Sequence, residues 1–127
     1  MTLIALIAAG LAGLLHIYIF VLESLRWEHA STRATFGTTA EQAAITKPLA
    51  FNQGFYNLFL AIAALVGVFT ASWPAVSTTL LVVSLGSMLA AALVLVASDK
   101  TKLRAAAVQG TIPLVGLLAL GLGALTQ

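Results

Sequence analysis

Charge in this chain is confined to two short stretches, and that confinement decides what it can fold into. Glu23, Arg26, Glu28, Arg33, Glu41 and Lys47 lie between residues 23 and 47, and Asp99, Lys100, Lys102 and Arg104 lie between 99 and 104. From Leu49 to Ser98, 50 residues pass without Asp, Glu, Lys or Arg. A helix needs about 20 predominantly apolar residues to cross the hydrocarbon core of a bilayer. The long run therefore holds two crossings and a turn, and the stretches before Glu23 and after Arg104 hold one each. Ala71-Ser72-Trp73-Pro74 marks the turn, because proline suits the start of a helix and breaks its interior. Irregular backbone facing lipid would leave its amides unpaired. The expected architecture is all-α: a single four-span transmembrane bundle over 1–127, with spans at about 2–22, 49–71, 75–97 and 105–125.

Composition narrows the class further. Apolar types make up 61% of the 127 residues and charged types 8%, against about 25% charged in a soluble domain. So little polar surface cannot coat a water-soluble globule, which argues against a cytosolic enzyme, a nucleic-acid binder or a disordered segment. The absence of cysteine argues against a disulfide-stapled domain and a cysteine-ligated zinc site. A cleaved signal peptide competes for the first span, but that span lacks a basic n-region and outruns an ordinary h-region, so it is expected to remain as a helix.

Orientation follows from the basic residues. With four spans, the first and third loops share a side and hold all six Lys and Arg, while the second loop and the termini hold none. The expected setting is the plasma (inner) membrane, multi-pass, with the charged loops cytoplasmic and both termini outside. Trp27 is expected at the inner interface and Trp73 at the outer one, where indole rings prefer to lie. Within the first loop, Thr38-Thr39-Ala40-Glu41 has the form of a capping box. It predicts a short interfacial helix between the first and second spans, about Thr39 to Lys47, ended by Pro48 and serving as a connector rather than a lid.

Small residues indicate how the spans pack. Gln109, Pro113, Gly116 and Gly123 share a face of the fourth span, with a kink expected at Pro113, and Gly86/Ala90 and Ser87/Ala91 repeat a small-xxx-small pattern in the third. Such faces let helices approach closely in lipid, either inside the bundle or against a second copy as a homo-oligomer.

Polar side chains inside a membrane are costly and mark function. His16 and Glu23 lie two turns apart on one face, about 10 Å along the axis. Asn52 and Tyr56, and beside them Gln53 and Asn57, stack at i, i+4 on the second span, and Gln109 is on the fourth. Measured from the cytoplasmic ends, Glu23, Asn52, Gln53 and Gln109 share a shallow layer, and His16, Tyr56 and Asn57 a deeper one. The seven are expected to line a polar pocket open to the cytoplasm, with Glu23 ionisable and His16 a relay. Against each stands a structural role: His16 satisfied by a carbonyl or by Tyr56, Glu23 paired with Arg26, and the amides joining helices. No metal or cofactor is expected. His16 and Glu23 miss the i, i+4 spacing of ligands on one helix, no second intramembrane His supports bis-imidazole haem ligation, and no P-loop, GxGxxG or GxSxG occurs. The basic loops suit anionic lipid headgroups better than nucleic acid.

His16-Ile17-Tyr18-Ile19 followed by Glu23, then Asn52-Gln53-Gly54-Phe55-Tyr56-Asn57, resemble the signature of domain-of-unknown-function family 1304, small four-helix membrane proteins. Phe36-Gly37 and Thr46-Lys47 also fit, and the resemblance covers nearly the whole chain. It implies the fold and the membrane location, and no activity. The residues themselves suit binding or transport of a small polar or amphipathic solute, with Glu23 the group that would couple it to a proton. An accessory subunit of a membrane complex is the alternative. An enzyme acting on a lipid-like substrate is the weaker reading, since no nucleophile stands beside His16 or Glu23.

Overall fold

The computed structural model describes residues 2–125. The helix α1 spans Leu3–Phe20 and runs on through a π-helical turn, Val21–Leu25. A short helix α2 follows at Ala30–Phe36, then α3 at Ala40–Phe69, α4 at Pro74–Ser98 and, after a 3₁₀ turn at Lys100–Lys102, α5 at Leu103–Leu125. No strand occurs among the described residues. Four of the helical segments, Leu3–Leu25, Ala40–Phe69, Pro74–Ser98 and Lys100–Leu125, are long and apolar enough to cross a membrane. Each packs against its neighbour in the chain, and α1 closes the ring against α5. The all-α four-helix bundle expected from charge spacing is the fold observed.

Small residues set the helix spacing. The buried face of α1 is Ala5, Ala8, Ala9, Ala12, Gly13 and His16, and that of α3 includes Ala50, Gly54, Ala61, Ala64 and Gly67. Leu81, Leu85 and Met88 of α4 fill the centre between them. Lipid is as apolar as a leucine side chain, so close van der Waals packing and interhelical hydrogen bonds hold such helices together. Ser77 Oγ donates to the Gly67 carbonyl at 2.6 Å, stitching α4 to α3. Pro113, Gly116 and Gly123 face inward: Gly116 leaves room for Leu85 and Ala8, and Gly123 for Thr2. Gly86 meets nothing within 4 Å of where a Cβ would stand, and Ser87, Ala90 and Ala91 are exposed, so the α4 stripe lies outside the bundle.

The first loop departs from expectation. The short helix lies at Ala30–Phe36 rather than about Thr39 to Lys47, and the predicted segment instead forms the first turns of α3. The capping box is present one residue later than read: Thr39 Oγ1 accepts from the Gln42 amide at 3.1 Å, and Gln42 Oε1 accepts from the Thr39 amide at 3.0 Å. Pro48 sits within α3 without ending it. An interior proline removes one backbone hydrogen bond and costs about 3 kcal/mol. Around this one the helix is held by the Thr39 cap, by the fully buried Ala43 and by Trp27 Nε1 donating to Thr46 Oγ1 at 3.1 Å. An ion pair between Lys47 and Glu28 adds a fourth restraint. The signal for α2 was its end: Gly37 takes φ +67° and lets the Thr38 amide reach the Arg33 carbonyl at 3.0 Å, a Schellman closure.

Candidate functional site

The π-turn positions the most unusual side chain of the chain. At its start the Val21 amide faces the carbonyls of both Ile17 and Tyr18. Such single wide turns recur at functional positions in helices. This one buries Leu22 and Glu23 together. Ser24, the next residue, lies directly against Gly54 of α3, where any Cβ would overlap Ser24 Oγ and crowd the Ser24 amide and Glu23 Cβ. Ser24 Oγ donates to the Phe51 carbonyl at 2.8 Å. Gly54 therefore fixes the register of α1 against α3, and Phe20 and Phe55 meet edge to face on the same seam with ring centroids 5.1 Å apart.

That register brings Glu23 to Asn57. Asn57 Nδ2 donates to Glu23 Oε2 at 2.8 Å and to its own helix at the Gln53 carbonyl, 3.2 Å. Glu23 is 6% exposed, and the described residues place no cation in an ion pair with it, the pairing with Arg26 included. One neutral amide is thus its hydrogen-bond partner. His16 is 2% exposed on the same face of α1, with Nδ1 donating to the Ala12 carbonyl at 2.8 Å. The hydrogen bond fixes the tautomer: Nδ1 carries the proton, and Nε2 is the acceptor of the neutral ring.

The seven side chains expected in one pocket are divided by the structure. His16, Glu23 and Asn57 point into the bundle, across the boundary between the shallow and deep layers. Tyr56 is 66% exposed, and Asn52 and Gln53 are also exposed. Asn52 and Tyr56 do stack at i, i+4, but on a stripe that faces away from the other helices, so Tyr56 does not pair with His16. The inner face of α3 belongs to its small residues, because backbone proximity rather than polarity decides which side turns inward. Gln109 is half-buried and lines a separate cavity of about 540 Å³ between α1, α2 and the start of α5. Sequence reasoning passed over Ser24, Gly54 as a contact, and that cavity. The glycine between Gln53 and Phe55 was the available signal for the first two.

Among the described residues no three His, Asp or Glu side chains are grouped as metal ligands would be. The buried polar groups here are one carboxyl, one amide and one imidazole, groups suited to hydrogen bonding and to the uptake or release of a proton. A family model described as protein of unknown function (DUF1304) matches residues 10–121. No curated protein and no solved structure matches the chain. The chain belongs to family DUF1304, as His16, Glu23 and the Asn52–Asn57 segment suggested.

Proposed function

We propose that the protein binds a small polar or amphipathic solute from the side of its basic loops and couples its passage to a proton carried by Glu23. The supporting observation is the Glu23 carboxyl: buried among the helices, bonded to a single neutral amide, and set in a π-turn. A carboxylate without a cationic partner is expensive at such a position, and intramembrane acids of this kind are characteristic of proton and ion pathways. Asn57 orients the carboxyl. His16, one face and two turns along, carries a ring nitrogen able to take or give a proton. By the distribution of Lys and Arg, the basic-loop side is the cytoplasmic one in this reading.

Glu23→Gln separates this role from a structural one, because a glutamine oxygen still accepts the Asn57 hydrogen bond. Proteoliposomes loaded with a pH-sensitive dye and offered a panel of amines, organic acids and amphipathic cations are expected to show solute-triggered proton movement with the native chain. The Glu23→Gln chain, folded and inserted to the same extent, is expected to show none. Proton movement that survives the substitution would sink the proposal.

A further inference from the structure

The cavity between α1, α2 and α5 has two chemically distinct ends. At one end stand Lys102 and Arg104, and the remaining walls include Leu15 and Ile19 of α1, Leu22 of the π-turn and Val108 of α5. Its roof is the end of α2, held in place across 66 residues of sequence by Lys102 Nζ, which donates to the Phe36 carbonyl at 2.8 Å. That hydrogen bond fixes the ammonium group at the rim while leaving it two further donors. Arg104 is exposed and forms no ion pair among the described residues. No carboxylate is found among the described residues that line the cavity. Asp99, three residues before Lys102, accepts from the hydroxyl and the amide of Thr101; these contacts and the nearby Lys102 charge hold its carboxyl below the usual range. Tyr18 and Val108 are more than half exposed in the walls, so the cavity opens sideways, toward the region that acyl chains occupy around a spanning bundle.

We propose that this cleft seats one anionic membrane lipid, with its phosphate on Lys102 and Arg104 and an acyl chain along Leu15, Ile19, Leu22 and Val108. Basic pockets between spanning helices suit anionic headgroups, and about 540 Å³ falls within the roughly 300–1,000 Å³ of small-molecule sites. Gln109 lies five residues below Arg104, about 7.5 Å along the helix, where its carboxamide meets the ester region of a lipid so placed. A lipid enters laterally and needs no aqueous path, whereas a free anion would leave the apolar wall unused. The proposal is independent of the Glu23 reading, because neither base that holds the phosphate takes part in it.

The test is native mass spectrometry of the full chain in neutral detergent, with phosphatidylglycerol and phosphatidylcholine of identical acyl chains. The native protein is expected to retain one phosphatidylglycerol per chain, with a preference over phosphatidylcholine of about tenfold or more. Arg104→Gln is expected to cut that preference about fivefold, while Lys100→Gln, outside the lining, leaves it unchanged. Val108→Trp, which fills the apolar wall, is expected to lower retention without changing the melting temperature. Equal retention of the two lipids would overturn the proposal. So would equal losses in the Lys100 and Arg104 variants, which would indicate diffuse surface charge. Displacement of the lipid by millimolar inorganic phosphate would also overturn it, assigning the site to a free anion.

Discussion

At the end of the bundle away from the basic loops, Thr2 lies against Gly123, Ser77 bonds the Gly67 carbonyl, and Leu81 and Leu85 fill the notches left by Gly67 and Gly116. Everything there obeys the ordinary rules of helix packing in lipid. At the basic-loop end, α1 widens into a π-turn, α3 carries an interior proline, an acid is buried without a cation, and a cleft separates α1 from α5. The two ends are built from the same four helices, and all the charged side chains lie at the second. Local departures from regular structure are tolerated where the bundle has been shaped for something other than holding itself together.

Substitutions can break this comparison or sharpen it. The largest effect is expected from Gly54→Val. It forces α1 and α3 apart at Ser24, and overpacking of this kind costs about 3 kcal/mol, read as a fall in the melting temperature of the purified protein in detergent. Leu85→Ala at the packed end removes a fully buried side chain and is expected to cost about 2 kcal/mol in the same assay, mostly through the cavity it leaves. A negligible loss would mean that this end is not the stabilising one. Thr32 of α2 works in the opposite direction. It is fully buried and its Oγ1 has no hydrogen-bond partner among the described residues, so Thr32→Val is expected to stabilise the protein by about 1 kcal/mol. A destabilised variant would show that the hydroxyl is answered after all, and that this end is less frustrated than its geometry suggests. Gly86→Ala is the smallest, expected to fall within about 0.5 kcal/mol of the parent, because its Cβ enters open space. A substantial loss, or a change in the mass of the detergent complex, would instead place a second copy of the chain on that face.

The four crossings could be read from the sequence because insertion depends on the summed polarity of about 20 residues, and the charges of this chain leave no ambiguity about which 20. Finer placement depended on features that sequence carries weakly. The π-turn needs no special residue type; one hydrogen-bond shift in Val21–Leu25 changes which side chains face inward. Pro48 was read as a stop, since a proline in water ends most helices. Here the flanking turns are pinned by Trp27, Ala43 and the Thr39 cap. The cost of polar groups in lipid argues that the polar residues of α3 face inward. Yet Asn57 alone reaches the Glu23 side, and Asn52, Gln53 and Tyr56 remain on the outer stripe. The buried spacing of Ala50, Gly54, Ala61 and Ala64 identifies the inner face, and Gly54 was present within the very motif that suggested the family.

The hydrogen bond from Lys102 to the Phe36 carbonyl spans 66 positions and has a consequence for biogenesis. A ribosome adds about 5–20 residues per second, so the segment containing Phe36 exists for roughly 3–13 s before its partner lysine is made. During that interval the last carbonyl of α2 lacks the partner that closes it. The closing latch is therefore fitted last, on arrival of the final crossing, and a nascent chain halted before residue 102 would leave that end of the protein unfastened.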